Sequence, residues 1–277
     1  MQVSRIAEEL GPAVAGIRDG GSGVFVAPTV LVTLARNVRD DTVLVRVAGK
    51  DQAAEVAGID RSVDLAVLRA DGPAVAEWAG EPPHIGQDVV ALADPAGRGL
   101  RATRGNVSAA PRDVRGPSGR LIPGAVEHTA PLPRGSGGGP LVDAGGRVLG
   151  LNALRLDGGF LLAWPAAVLA PRAAALASGN ATVPRRLGVA LAGPRQTRRM
   201  RAAVGLAGVD GLLVREVEPD SPAARAGIAQ GDVIVGANGN AVQGIDALHD
   251  ALDAAGDGPL ALELVRGTDE LTVEVGP

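Results

Sequence analysis

The chain has 277 residues, of which 46% are hydrophobic but only 1% aromatic, and it contains 40 Gly, 20 Pro and no Cys. This length allows two domains, each with a core built from Ala, Val, Leu and Ile. The absence of Cys excludes disulfides and thiol nucleophiles, and three scattered His predict neither a metal site nor a cofactor. A net charge of −4 argues against nucleic acid as the main partner, because phosphate binding needs a basic face.

The N-terminal sequence lacks the pattern of a secretory signal. MQVSRIAEEL has no basic segment followed by an apolar core, and the longest apolar stretch, 24–35, is interrupted by Pro28 and Thr33. That stretch is much shorter than the roughly 20 residues that span a bilayer. We therefore expect no membrane span, and a protein that is either cytoplasmic or an exported protein without its leader.

Short apolar runs separated by turn residues predict β-strands from residue 13 to 164. The runs are rich in Val, Leu and Ala, and they include VAGI, GVFV, TVLVRV, VVALA, PLV and FLLAW. Strands with this spacing and Gly-centred connections are typical of an all-β barrel or sandwich. No long amphipathic helix is predicted between them.

The first helix signal begins at Pro165, a residue that suits the first helical position, and ends at Gly179. Pro171 lies inside the segment and favours a kinked or split helix. The residues that follow, 179–186, are small and turn-forming and predict a linker. We place the domain boundary here, with one domain at 1–180 and a second at 183–277.

The second domain is predicted to combine strands with two short helices. Capping residues and apolar spacing predict one helix over 221–227 and another over 245–256, and Asn238-Gly239 predicts a tight turn between them. Four Arg occur within 195–201. We expect this cluster to be a solvated surface, with an acidic partner or a membrane surface as the alternatives.

Three segments of the first domain resemble, in order, the catalytic segments of the trypsin-like proteases of the HtrA/Deg family. They are GSGV with LVTLARNV, then RSVDLAVLR, then LPRGSGGGPLVDAGGRVLGLN. The segments RRLGVAL and GLLVREVEPDSPAARAGIAQGDVIVGANG of the second domain resemble the PDZ domain that follows the protease in that family. The resemblance implies an all-β, trypsin- or chymotrypsin-like double barrel followed by a small α+β PDZ domain.

The resemblance assigns the catalytic positions to residues that do not form a working triad. Arg36 matches the His of a TNAHV-type segment, Asp64 the Asp of a DLAVL-type segment, and Gly137 the Ser of a GNSGGPL-type loop. Arg stays protonated and cannot act as a base, and Gly carries no nucleophile. An alternative register makes Ser136 the nucleophile, but then Arg134 stands where the loop requires Gly. Neither register supplies a His.

Two further expectations concern this site. We expect Arg36 and Asp64 to form a bidentate ion pair, with an Arg36 side chain in solvent as the alternative. The loop of Gly135, Ser136 and Gly137 either retains the backbone amides of an oxyanion hole or is simply flexible. His84 and His128 are interpreted as ordinary residues, because a catalytic base needs hydrogen-bond contact with the nucleophile and an orienting third group.

The PDZ resemblance implies a groove for the C-terminus of a partner. The peptide would add beside the strand that starts at Leu187, and the helix with Ile245 and Leu248 would form the other wall and favour an apolar last residue. The carboxylate would lie on a loop made of Arg186, Leu187, Gly188 and Val189. The alternative is a PDZ fold retained only for packing or for regulating its own barrel.

These assignments lead to two hypotheses of function. The first is a catalytically inactive HtrA-like pseudoprotease that binds peptides or protein C-termini as an adaptor, chaperone-like or regulatory protein in bacterial protein quality control. Its partners would be C-termini with an apolar last residue, and an active HtrA relative is a further candidate. The alternative is an active serine endopeptidase with a shifted or partner-completed site.

Overall fold

The structure, a computed structural model, describes residues 3–116, 119–180, 186–256 and 258–276. The chain divides into two compact units, residues 1–183 and 184–277. The predicted boundary between 180 and 183, and most of the predicted linker, lie outside the described residues. Within the described ranges, none of the helices combines the length and apolar character that crossing a bilayer requires.

Six antiparallel strands of the first unit close into a barrel. They are β1 (Val14–Ile17), β2 (Ser22–Ala27), β3 (Val30–Leu34), β4 (Thr42–Val47), β5 (Lys50–Asp60) and β6 (Leu65–Arg69). They pair in the order β1-β2-β3-β6-β5-β4. Inward-facing side chains such as Phe25, Val45 and Leu68 fill the interior, as expected where short apolar runs alternate their faces.

Seven further antiparallel strands of this unit form a second sheet. They are β7 (Asp88–Ala93), β8 (Arg101–Asn106), β9 (Arg112–Arg115), β10 (Leu121–His128), β11 (Pro140–Val142), β12 (Val148–Arg155) and β13 (Leu161–Pro165). Their order is β8-β7-β11-β12-β13-β10-β9. A single bridge between Val107 and His128 links the end of β8 to β10. The trypsin-like double-barrel fold is therefore confirmed.

Two helices pack on the barrels of this unit. Helix α1 (Val3–Leu10), which the sequence pattern did not predict, buries Ile6. Helix α2 (Ala166–Ala177) is continuous, so the predicted split at Pro171 is wrong. Its buried residues Leu169, Ala173 and Leu176 recur at helical spacing, and their packing offsets the hydrogen bond that proline removes.

The second unit has the predicted α+β composition, but its described residues form three helices where two were predicted. Its elements are β14 (Val189–Ala192), α3 (Pro194–Ala203), β15 (Leu212–Val217), α4 (Pro222–Arg225), β16 (Val233–Ala237), β17 (Asn240–Ala241), α5 (Ile245–Ala255), β18 (Leu260–Arg266) and β19 (Asp269–Val275). The sheet order is β14-β15-β16-β18-β19, so β14 is an edge strand. The Ser221 side chain accepts the Ala224 N–H at 3.1 Å and caps α4, as predicted. Asn238 and Gly239 both have positive φ in the turn between β16 and β17.

The Arg cluster lies on α3. Arg195, Arg198 and Arg199 are exposed, as expected for a solvated surface. Arg201 differs: it is 4% exposed, and it donates to the carbonyl oxygens of Ala207 at 2.8 Å and Gly267 at 2.9 Å. This arginine therefore has a structural role, because it ties the helix to two neighbouring loops.

Candidate functional site

Arg36 and Asp64 meet where two paired strands end. Strand β3 pairs with β6 so that Leu34 lies opposite Leu65, which places the residues just beyond them side by side. The Nε and Nη2 atoms of Arg36 lie 2.7 and 2.5 Å from Oδ2 of Asp64. The backbone N–H of Arg36 donates to Oδ1 at 3.1 Å. The expected ion pair is confirmed, but both guanidinium nitrogens converge on one oxygen, so the bidentate fork is wrong.

The two partners of this ion pair differ in exposure. The Asp64 side chain is 4% exposed and that of Arg36 is 37% exposed. Asp64 also has a φ of +55°, a left-handed conformation that costs free energy in residues other than glycine. Among the described residues, the three donors to this carboxylate all belong to Arg36. A buried carboxylate therefore depends on one half-exposed arginine for its charge compensation.

The side chain of Asn37 links this ion pair to the glycine-rich loop at 135–139. Its Nδ2 donates to the Gly137 carbonyl oxygen at 2.9 Å and to Thr33 Oγ1 at the same distance. The Ser22 N–H donates to the same Gly137 carbonyl at 2.8 Å. The sequence pattern assigned Asn37 no role, and the one indication of its importance was that it directly follows Arg36. These bonds fix the loop against the first barrel.

Gly137 differs from the two glycines that follow it. A Cβ on Gly138 would collide with the Ser22 carbonyl oxygen, and one on Gly139 would collide with that of Leu92. A Cβ on Gly137 would meet only Leu34 Cδ1 at 3.2 Å and a carbonyl oxygen at 3.8 Å, and its φ is not left-handed. The fold therefore requires glycine at 138 and 139, whereas a Cβ at 137 would require only a small shift of the Leu34 side chain.

The loop also leaves polar groups without partners. Ser136 is 5% exposed, and its Oγ has no hydrogen-bond partner among the described residues. The N–H groups of Gly138 and Gly139 donate to carbonyl oxygens at 2.8 and 3.1 Å, whereas those of Gly135 and Gly137 have no acceptor in the part of the chain that is described. The alternative register thus finds no base at Ser136, and the N–H groups of Gly135, Ser136 and Gly137 are all without an acceptor among the described residues.

Neither His84 nor His128 is placed as a base. His128 is fully buried in the second barrel. Neither of its ring nitrogens has a partner of hydrogen-bond geometry within the described ranges. Burial lowers the pKa of His128 to about 4, and the Asn152 side chain opposes this shift. His84 lies in an exposed turn, where its Nδ1 is 3.2 Å from the Ile85 carbonyl oxygen. The interpretation of both as ordinary residues is consistent with these positions.

In the second unit, the loop before β14 has hydrogen-bonded carbonyl groups, whereas its N–H groups lack acceptors among the described residues. The Leu187 and Gly188 carbonyl oxygens accept N–H groups from the 218–223 segment at 2.9 and 2.8 Å. The Leu187 and Gly188 N–H groups have no acceptor among the residues described. Gly188 has a φ of +77°, and a Cβ there would collide with that of Ser221. Arg186 pairs with Glu218 at 2.6 Å beside this loop.

The walls beside this loop differ in part from the prediction. Strand β14 bonds to β15 on one side only, and Val189 packs partly buried against the core. Ile245 on α5 is also partly buried and packs against the same core. Leu248 is 1% exposed and belongs to the core, so its predicted place on the groove wall needs correction. The i, i+3 spacing predicted the buried face of the helix, not the ligand-facing one.

Comparisons with known proteins match both units. The profile of the trypsin-like peptidase domain matches residues 21–151, and that of the PDZ domain matches residues 213–266. A probable periplasmic serine endoprotease DegP-like of Pseudomonas savastanoi pv. phaseolicola is 32% identical over 92% of this chain and 55% of its own length. Serine endoprotease DegS of Escherichia coli K12 is 28% identical over 94% of this chain and 76% of its own. The chain thus spans about half the length of the DegP-like relative.

Solved structures share the fold of the whole chain. A serine endoprotease from Yersinia pestis superposes with a TM-score of 0.63 at 24% identity, covering 100% of this chain and 97% of that one. The HtrA-type protease AlgW with decapeptide gives a TM-score of 0.63 at 20% identity, covering 100% and 98%. These likenesses support the order of a trypsin-like unit followed by a PDZ unit.

Proposed function

Because the chain belongs to the HtrA/Deg family, with a trypsin-like domain followed by a PDZ domain, we propose that it is a catalytically inactive member that binds peptides or protein C-termini. One observation carries the proposal. The Asp64 carboxylate, which would orient a catalytic base, is engaged by the Arg36 guanidinium, and the matching loop position is Gly137. The relatives named here are endoproteases, so the proposed inactivity distinguishes this chain from them.

Both substitutions remove chemistry that cannot be supplied by neighbours. A general base must accept the proton of the nucleophile, and a guanidinium is a donor that cannot accept one. Without a nucleophile and a base, a serine-protease scaffold retains at most about 10³- to 10⁴-fold acceleration over water. A Cβ at Gly137 would require only a small shift of the Leu34 side chain, so packing constrains this position less than Gly138 and Gly139.

An active serine endopeptidase is the second candidate, favoured by the names of the relatives and by the hydroxyl of Ser136. Activation of Ser136 needs a base in contact with its Oγ, and the described part of the chain offers no partner to that atom. A partner protein would have to insert the base next to a side chain that is 5% exposed. This requirement argues against the second candidate.

The PDZ unit carries the proposed binding function. The N–H groups of Leu187 and Gly188, which have no acceptor among the described residues, form a suitable cradle for a carboxylate, and the Arg186–Glu218 ion pair lies beside it. The open edge of β14 allows a peptide to add as a strand. The partly buried side chains of Val189 and Ile245 favour an apolar last residue. These features support a role as an adaptor, chaperone-like or regulatory protein.

A fluorophosphonate probe, read by mass spectrometry of the intact chain, tests the inactivity. We expect no adduct on the parent chain or on Arg36→His alone, because neither supplies the nucleophile. Arg36→His combined with Gly137→Ser should give an adduct at position 137, with Gly137→Ser alone as the control that lacks a base. An adduct on Ser136 of the parent chain would refute the proposal.

A further inference from the structure

Unused hydrogen-bond donors collect at the former catalytic centre. The N–H groups of Gly135 and Gly137 and the Nη1 group of Arg36 have no acceptor in the described part of the chain. Asn37, the residue after Arg36, bonds directly to the Gly137 carbonyl oxygen, so these donors belong to one small region. We propose that this region binds the C-terminal carboxylate of a peptide. The inference rests on the proposed loss of catalysis at the same positions.

The two substitutions change which chemical group the centre suits. In a working site, a neutral His and a Ser hydroxyl stand beside the backbone donors, and the bound group is a neutral carbonyl. Here Arg36 carries a positive charge, and Gly137 brings no side chain into the space beside the loop amides. A carboxylate has a second oxygen that can occupy this space. One oxygen would accept from the loop amides and the other would face Arg36.

The local charge also favours an anion. Asp64 offsets the charge of Arg36, since the two form an ion pair. Arg134 precedes Gly135 directly, is exposed, and has no ion pair within the described ranges, so it adds one uncompensated positive charge to the loop. Charged partners strengthen hydrogen bonds to carboxylates about twofold relative to neutral ones. The centre therefore discriminates in favour of a carboxylate over a carboxamide of the same size.

One exposed aromatic ring, on a hairpin tied to the segment before the loop, indicates a peptide as the source of the carboxylate. The side chain of Arg155, at the end of β12, donates to the Leu132 carbonyl oxygen and so ties the β12–β13 hairpin to the segment before the loop. This hairpin carries Phe160, whose ring is one of the few exposed large apolar side chains. Phe160 provides contact area for an apolar residue near the C-terminus of the ligand.

Photo-crosslinking of the full chain tests the inference and separates this site from the PDZ groove. The probe is a peptide that ends in valine carboxylate and carries benzoyl-phenylalanine at the penultimate position, and its matched control ends in valine carboxamide. We expect adducts in the PDZ unit and in a second set among residues 132–139 and 155–160. The second set should fall about tenfold or more for the carboxamide.

Variants sharpen the test. Arg36→Gln should lower the adducts in the first unit about tenfold, whereas Arg39→Gln, which removes the same charge from an exposed neighbour, should leave them unchanged. Gly137→Ser should lower them as well, because the hydroxyl fills the space for the second oxygen. If Arg36→Gln fails to fold, the comparison of the carboxylate and carboxamide probes still tests the proposed site, because it uses the unchanged protein.

The outcomes separate this inference from the proposed function. Adducts confined to the PDZ unit, or equal labelling of the first unit by carboxylate and carboxamide, would overturn the carboxylate site while leaving the inactivity intact. A fluorophosphonate adduct on the parent chain would instead overturn the inactivity on which the inference rests.

Discussion

Two glycine-containing loops, at 135–139 in the first unit and at 186–189 in the second, differ in the functional groups that they retain. The loop at 186–189 uses only backbone donors, and those of Leu187 and Gly188 remain available. The loop at 135–139 also retains backbone donors, but the proposed nucleophile position has no side chain and the proposed base position holds Arg36. Binding by backbone amides survives side-chain substitution, whereas proton transfer requires particular side chains. This difference explains how one family can include both proteases and a proposed binding protein.

The largest expected effect is on stability. It distinguishes Gly138, which the fold requires, from Gly137, which stands at the proposed nucleophile position. Gly138→Ala should destabilise the first unit by about 3 kcal/mol or more, because its Cβ would collide with the Ser22 carbonyl oxygen at a φ of +92°. Gly137→Ala is the matched control and should cost clearly less, because its φ is not left-handed and only the Leu34 side chain, at 3.2 Å, has to shift. Thermal melts measure both. Equal losses at the two positions would contradict the claim that the fold constrains Gly138 more strongly than Gly137.

The two units should also differ in their sensitivity to acid. His128 has a pKa of about 4 in the folded chain, whereas the ordinary pKa of a histidine is 6.5, so between these pH values the unfolded state binds more protons than the native state. The stability of the first unit should therefore fall as the pH drops from 6.5 to 4, by up to about 3 kcal/mol. His128→Gln should remove most of this slope. A slope unchanged in the variant would exclude His128 as its source.

In the second unit, the buried titratable side chain with a shifted pKa is Asp232. Burial raises its pKa, but hydrogen bonds from Arg266 and from the Ala229 N–H outweigh burial, and the net pKa lies below the usual value. Its contribution is thus complete above the unfolded pKa of about 3.8 and is lost only as the pH falls below it. Hydrogen exchange resolved by unit should show the first unit opening at a higher pH than the second.

The Arg36–Asp64 ion pair is expected to give a moderate effect. Arg36→Ala leaves the buried Asp64 carboxylate with only the backbone N–H of residue 36, and it should cost about 2 kcal/mol, less than a fully buried pair because Arg36 is 37% exposed. Arg39→Ala, at an exposed position three residues on, is the control and should cost under about 0.5 kcal/mol. Identical melting temperatures for the two variants would show that the ion pair has no structural role.

The smallest expected effect concerns peptide binding by the second unit. Gly188→Ala should weaken binding of a fluorescent C-terminal peptide by about tenfold, because a Cβ would meet Ser221 and displace the amides of the loop. Gly208→Ala is the control, since its Cβ would meet nothing closer than 3.8 Å. Fluorescence anisotropy on the full chain measures both. Unchanged affinity in Gly188→Ala would place the peptide elsewhere.

Features that depend on local sequence were predictable, and those that depend on distant contacts were not. The Asn238-Gly239 turn and the Ser221 cap followed from residues within a few positions of each other. The bond between Asn37 and Gly137 joins residues 100 positions apart, and no pattern along the chain encodes it. The guanidinium of Arg36 converges on Oδ2 of Asp64 because the backbone N–H of Arg36 donates to Oδ1. Only the fold determines this arrangement.

The most direct test of the proposed inactivity is the degradation of unfolded casein by the parent chain and by Arg36→His combined with Gly137→Ser. We expect no turnover by the parent and measurable turnover by the double variant, because Asp64, Asn37 and the loop amides already stand in place. Turnover by the parent chain that is abolished by Ser136→Ala would contradict the proposed inactivity.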